Sequence, residues 1–199
     1  MIVVDIETSG INFANSGIWQ IGAIDSDAPD NFFIGECRIE ENDIVMEESL
    51  RVNNITEESL RDSTKISQKE LLQKFFEWCR GVKIKNFVCQ NPQFDYAFIR
   101  LKAEKYGLDI PVHFRCFDLH SIAGMKYLEL NKRLLLRNDY SDMGLPNILN
   151  FCGMQDNRKE HNALEDARLT AECFNRIMFG KKLLKEYDDY VLPSYLRRD

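Results

Sequence analysis

The spacing of apolar and polar positions predicts the elements before anything else is considered. Residues 2–8 form an apolar run interrupted by Asp5 and Glu7, which predicts a strand closed by Ser9-Gly10. Residues 18–25 predict a second strand, and residues 31–39 a third, after the turn signal Asp27-Ala28-Pro29-Asp30. The short connections favour antiparallel neighbours. The period then changes. Leu71, Leu72, Phe75, Phe76 and Cys79 form a helical stripe over residues 67–80. Residues 86–89 read as a short buried strand. Asn91-Pro92 reads as an N-cap followed by proline in the first turn, opening a helix that stops at Gly107. A strand at 114–117, a helix from Leu119, a short helix near Leu145-Pro146 and a helix over 162–178 complete the pattern. Three antiparallel strands followed by helix–strand–helix–strand–helix predict an α/β fold: a mixed five-stranded sheet, antiparallel first and then parallel, flanked by helices. Residues 181–199 read as a helix or arm with a turn at Pro193, packed on the core or reaching a partner.

Composition narrows the class. The chain has 199 residues, 44% hydrophobic and 29% charged, which suits a globular domain. No apolar run approaches the roughly 20 residues of a membrane span, and the start lacks a basic leader. The expectation is an intracellular, cytoplasmic protein, complete in itself, with no membrane partner. Acids outnumber bases 32 to 26, a net charge of −6, which argues against binding nucleic acid by bulk positive charge. An enzyme whose site holds cations is still allowed. The six cysteines form no C-x-x-C pair and read as small buried hydrophobes.

Three places carry candidate chemistry. Asp5 and Glu7 are two apart in a strand, so both point to one side. Side by side in a covered strand they repel and lose water, which favours a cation between them. At an exposed strand end they would be ordinary solvated acids. Asp95 stands in a helix's first turn, where the helix dipole already favours an acid. In His161-Asn162-Ala163-Leu164-Glu165-Asp166-Ala167, adjacent helical residues diverge by about 100°. Only one of Glu165 and Asp166 then faces a site. All-oxygen ligands suit Mg²⁺ or Mn²⁺. A histidine beside them is a candidate general base. His113 and His120 read as structural.

Together, Asp5-Ile6-Glu7-Thr8, Asn91-x-x-Phe94-Asp95 and His161-x-Ala-x-Glu-Asp166-Ala resemble the three motifs of the DEDDh, or DnaQ-like, 3′–5′ exonucleases of the RNase H-like fold. The resemblance runs from Met1 to about Phe179, supported by Ile21-Gly22-Ala23 and Gly144-Leu145-Pro146. It implies an exonuclease domain over 1–180 and an arm over 181–199. It implies two Mg²⁺ or Mn²⁺ ions: Asp5, Glu7 and Asp166 hold one, Asp5 bridges to the second, and Asp95 joins directly or through water. His161 then takes the proton of the attacking water. Thr8, Ile11, Phe94 and Asn91 are the implied substrate contacts, with Ile11 as a wedge beside the terminal base. Core packing is the alternative for Ile11 and Phe94. Gln90 stands where the family often has histidine, and Thr8-Ser9 replaces Thr-Thr. Lys126, Lys132, Arg133 and Arg137 either guide phosphates or form a solvated face. The implied substrate is the 3′ end of single-stranded DNA or RNA, DNA slightly favoured, cut to nucleoside 5′-monophosphates. The alternatives are a non-catalytic or proofreading module bound to a polymerase through the C-terminal arm, and a structural cation site.

Overall fold

The computed structural model describes residues 1–198. The first two strands fall where the apolar pattern places them: β1 is Ile2–Thr8 and β2 is Ile18–Asp25. They pair antiparallel, with Asp5 opposite Gly22. The third strand starts earlier than expected. β3 spans Ala28–Glu36, not 31–39, and pairs with β2 from Asp25 opposite Ala28. Only Ser26 and Asp27 are left for the turn, so most of the Asp27–Asp30 turn signal lies inside a strand. Pro29 is tolerated there because β3 is the edge of the sheet.

Two short helices follow that apolar spacing does not predict, α1 (Glu47–Val52) and α2 (Glu57–Leu60). α3 (Gln68–Gly81) opens on a Ser67–Glu70 capping box and buries the expected stripe. β4 (Asn86–Cys89) runs parallel to β1, and β5 (His113–Asp118) parallel to β4. The sheet order is β3-β2-β1-β4-β5, the mixed five-stranded arrangement expected. α4 (Pro92–Tyr106) and α5 (Leu119–Asn131) lie after β4 and β5. A small hairpin, β6 (Leu136–Arg137) and β7 (Tyr140–Ser141), precedes α6 (Leu145–Phe151) and α7 (Ala163–Phe179).

Strand parity divides the core. Ile2, Val4 and Ile6 of β1 pack with Phe75, Phe76 and Phe98 on one face of the sheet. Val3 packs on the other with Ile148, Leu169 and Cys173. Asp5 and Glu7 share Val3's parity, so β1 aims both toward α7. All six cysteines are free, and five are buried.

The arm packs on its own domain. Leu184 and Leu196 are buried, and the segment forms two 3-10 turns, Lys185–Tyr187 and Ser194–Leu196. Glu172 and Arg176 of α7 hold it from beneath. Glu172 accepts from the backbone N–H groups of Leu183 and Leu184, both at 2.8 Å. Arg176 donates to the carbonyls of Tyr187 and Tyr190, both at 3.2 Å. Among the described residues no helix is long and apolar enough to cross a membrane.

Candidate active site

The carboxyl end of β1 and the start of α4, which follows β4, open onto one crevice, where open α/β sheets commonly bind ligands. A cavity of about 360 Å³ lies there, lined by Asp5, Glu7, Asp95, His161 and Asp166 among others. Residues distant in sequence thus meet around one cavity. Asp95 and Asp166 are 3% and 4% exposed, so neither is the solvated helix-start acid that its position alone would allow. Glu165 turns away and is exposed.

α7 is positioned by β2. A Cβ on Gly22 would lie 2.1 Å from the backbone nitrogen of Leu164 and 2.2 Å from the carbonyl carbon of Ala163. The helix start therefore rests directly on the strand, and glycine is required there by close approach. Gln20 accepts from the Ala163 N–H at 2.7 Å, and the Asn162 side chain caps Leu164 and Glu165. Three orphan donors of α7 are thereby satisfied, and Asp166 is fixed opposite Glu7.

α4 is positioned differently from the expectation. Asn91 makes no side-chain cap; it adopts the left-handed region, φ 68°. Its carbonyl accepts from the Phe94 N–H at 3.0 Å, and its own N–H donates to Asp118 at 3.2 Å. The sharp exit from β4 demands positive φ, which asparagine tolerates better than most residues.

Burial and neighbouring charge raise the pKa values of Asp5, Glu7 and Asp95. Burial, then the charges of Asp95, Asp166 and Glu7, pushes Asp5 well above the usual carboxylate range. Burial, then Asp166, raises Glu7 to about 7. Burial raises Asp95 to about 8, although backbone N–H groups of Asp95 and Ile6 oppose the shift. His161 is raised by its contact with Asp166, Nδ1 to Oδ2 at 3.5 Å.

Together with Asp166, these carboxylates form a donor set for a hard cation. One atom each of Glu7, His161 and Asp166 lie within 4.8 Å of one another. The Oδ1 of Asp166 is buried with no hydrogen-bond partner. An orphaned carboxylate oxygen among four clustered acids fits a divalent ion.

The implied substrate contacts divide. Thr8, Asn91 and Phe94 line the cavity. Thr8 donates to the Gly10 carbonyl at 2.8 Å, and Phe94 also packs on Phe98 with ring centroids 4.9 Å apart. Ile11 is 69% exposed and is not among the cavity's lining residues. Gln90 lines the cavity and donates to the Met143 carbonyl at 3.4 Å. His113 and His120 do not line it. His113 accepts from the Arg115 N–H, and His120 bonds Ser141. Lys126 and Arg137 are paired with Glu129 and Asp142.

Sequence reasoning missed three contributors. Gln20 gave no signal beyond an unpaired polar residue in an apolar strand. The wall formed by Ser49, Val52 and Asn53 comes from α1, a helix with no buried residue and hence no apolar stripe, and from the residue that caps its C-terminus. Arg158 carries the third. Its Nη1 donates to Asp166 Oδ2 at 2.8 Å, and its side chain is 8% exposed.

The sheet thus presents carboxylates from its first strand and from two helices, with a histidine at the rim, around one cavity. Residues 2–174 match the exonuclease family RNase_T, and the chain belongs to that family. It is 28% identical over 180 residues to a DNA polymerase III PolC-type from Caldanaerobacter subterraneus subsp. tengcongensis, covering 89% of this chain and 11% of that protein. The chain thus spans about a tenth of the PolC-type relatives it matches. It is 27% identical over 205 residues to ribonuclease T of Vibrio campbellii, covering 92% of this chain and 87% of that protein. In structure it is similar to the nuclease domain of 3′hExo, a DEDDh family member bound to rAMP, with TM-score 0.66, 15% identity and coverage of 92% and 94%. It is also similar to E. coli exonuclease I in complex with a dT13 oligonucleotide, with TM-score 0.67, 17% identity and coverage of 85% and 39%.

Proposed function

We propose that the chain hydrolyses the terminal phosphodiester of single-stranded nucleic acid from the 3′ end, releasing nucleoside 5′-monophosphates. The observation that carries this reading is the meeting of Asp5, Glu7, Asp95, Asp166 and His161 around one cavity. Asp5, Glu7, Asp95 and Asp166 would together hold two Mg²⁺ or Mn²⁺ ions. Bound there, such ions supply Lewis acidity, making water more acidic and neutralising charge on the phosphoryl group.

The protein's own groups do the rest. Asp166 orients the His161 ring through Nδ1, which leaves Nε2 to accept a proton from water. Half-exposure at the rim gives that nitrogen access to solvent. Asn91 and Phe94, at the start of α4, would meet the terminal nucleotide, and Phe94 offers a ring face for a base.

DNA is the proposed preferred substrate. The PolC-type relatives are named as DNA polymerases, and exonuclease I was solved with a DNA oligonucleotide. The ribonuclease T relatives make RNA the direct competitor. The PolC-type similarity also favours a second reading, proofreading beside a polymerase. The burial of Leu184 and Leu196 would leave exposed arm residues such as Val191 and Tyr195 for that contact.

The test is digestion of matched 5′-labelled DNA and RNA strands with Mg²⁺, Mn²⁺ or chelator, beside Asp5→Ala. The expected result is a metal-dependent ladder shortening from the 3′ end, faster on DNA and absent in the variant. No cleavage by folded protein would overturn the reading in favour of a binding module.

A further inference from the structure

Four carboxylates share the cavity, yet among its described lining residues Arg158 is the one lysine or arginine. Its fork is held from outside by Asp156, with Nε to Oδ1 at 2.9 Å and Nη2 to Oδ2 at 2.7 Å. The remaining nitrogen, Nη1, reaches inward to Asp166 Oδ2 at 2.8 Å. The guanidinium and Asp166 are both largely buried, with side chains 8% and 5% exposed. The two oxygens of Asp166 therefore differ. Oδ2 is committed to the protein's own cation, while Oδ1 is buried and unpartnered.

A buried anion cluster needs compensating charge. A guanidinium supplies one fixed positive charge that cannot be lost by deprotonation. The same charge repels any cation that enters beside it. We infer that Arg158, clamped by Asp156, is the resident counter-cation of the acidic site, stabilising the metal-free fold and raising the divalent-ion concentration that the site requires. This rests on the proposed metal-dependent reading. The bland competitor is a staple that merely ties the segment before α7 to the helix. A staple contributes the same stability with or without ions.

The experiment uses the full chain as wild type, Arg158→Gln and Arg158→Lys, each stripped with chelator. Mn²⁺ binding is measured by isothermal titration, and thermal unfolding is followed in chelator and in saturating Mn²⁺. Arg158→Gln should bind Mn²⁺ at least about tenfold more tightly, because one opposing charge a few ångströms away is gone. Its Tm should fall in chelator and recover most of the loss in Mn²⁺. Arg158→Lys keeps the charge and should stay near wild type in affinity. Unchanged or weaker binding by Arg158→Gln overturns the inference, as does a Tm deficit of equal size in both conditions. Failure of that variant to fold even in Mn²⁺ makes Arg158 a staple and also overturns it. A wild-type protein that binds no Mn²⁺ would remove the metal-dependent function itself, which is a separate and distinguishable result.

Discussion

His161 stands half-exposed at the cavity rim with one ring nitrogen facing Asp166. A general base needs that combination of an oriented ring and an open nitrogen. His161→Ala should reduce turnover by roughly 10²–10⁴-fold while Mn²⁺ affinity stays within a small factor. Single-turnover kinetics beside isothermal titration would show it, and near-normal turnover at neutral pH would remove the role. Glu7 offers a pH test. Its folded pKa of about 7 lies above its ordinary 4.5. Between those values the folded protein binds a proton that the unfolded chain has lost, so this contribution falls as pH rises, until both states are ionised. Metal-free protein should therefore lose Tm from pH 5 to pH 8, and Glu7→Gln should flatten part of that slope. Saturating Mg²⁺ should flatten it too, because a bound cation favours the ionised form. A wild-type slope identical to that of Glu7→Gln would contradict the assignment. The motif acids were singled out through the family resemblance of three motifs, because each alone reads equally well as a solvated acid. Arg158 was not, since its position in an irregular segment carries no period.

At the scale of elements, the placement of α7 on β2 decides the site. Gly22→Ala would drive a methyl group into the backbone of Ala163 and Leu164. Backbone cannot swing aside as a side chain can, so α7 must shift, at about 1–3 kcal/mol. Activity should fall more than stability, because Asp166 and His161 move with the helix start. Circular dichroism melts and initial rates measured together would check this. Equal activity to wild type would mean that the contact is relaxed in solution. Helix α3 was legible through its stripe and α4 through Pro92 and Gly107. The start of β3 was misplaced because a proline and two acids read as a turn, whereas an edge strand accepts them.

At the scale of the whole molecule, buried ion pairs away from the cavity tie segments together. Lys102 of α4 meets Asp43 at 2.9 Å with both side chains at 5% exposure or less, and Gln68 of α3 donates to the same carboxylate at 2.6 Å. Lys102→Met would strand Asp43 and should cost about 3–5 kcal/mol. Urea unfolding would measure it, and a loss under 1 kcal/mol would show that water replaces the lysine. Glu172 and Arg176, both fully buried, join α7 to the C-terminal segment. Deleting residues 183–199 would uncover this pair and the bed of Leu184 and Leu196. The truncated protein should melt well below the full chain even in saturating Mn²⁺. An unchanged melt would mean that the segment is dispensable to the core.

The sequence by itself determined the order of the five sheet strands and their main helices, and that β1 is covered on both faces. These rest on local period and on spacing along one element, and both are written in neighbouring residues. Tertiary structure decided which acids lose water, which oxygen of Asp166 is left free, and that a guanidinium stands among them. Those are properties of distances between segments far apart in the chain. Asp166 and Glu165 are both acids in the first turn of α7, and only the packing of that helix on Gly22 turns one of them into the cavity. Burial then changes what each carboxylate does, because charge is costly only where water has been removed.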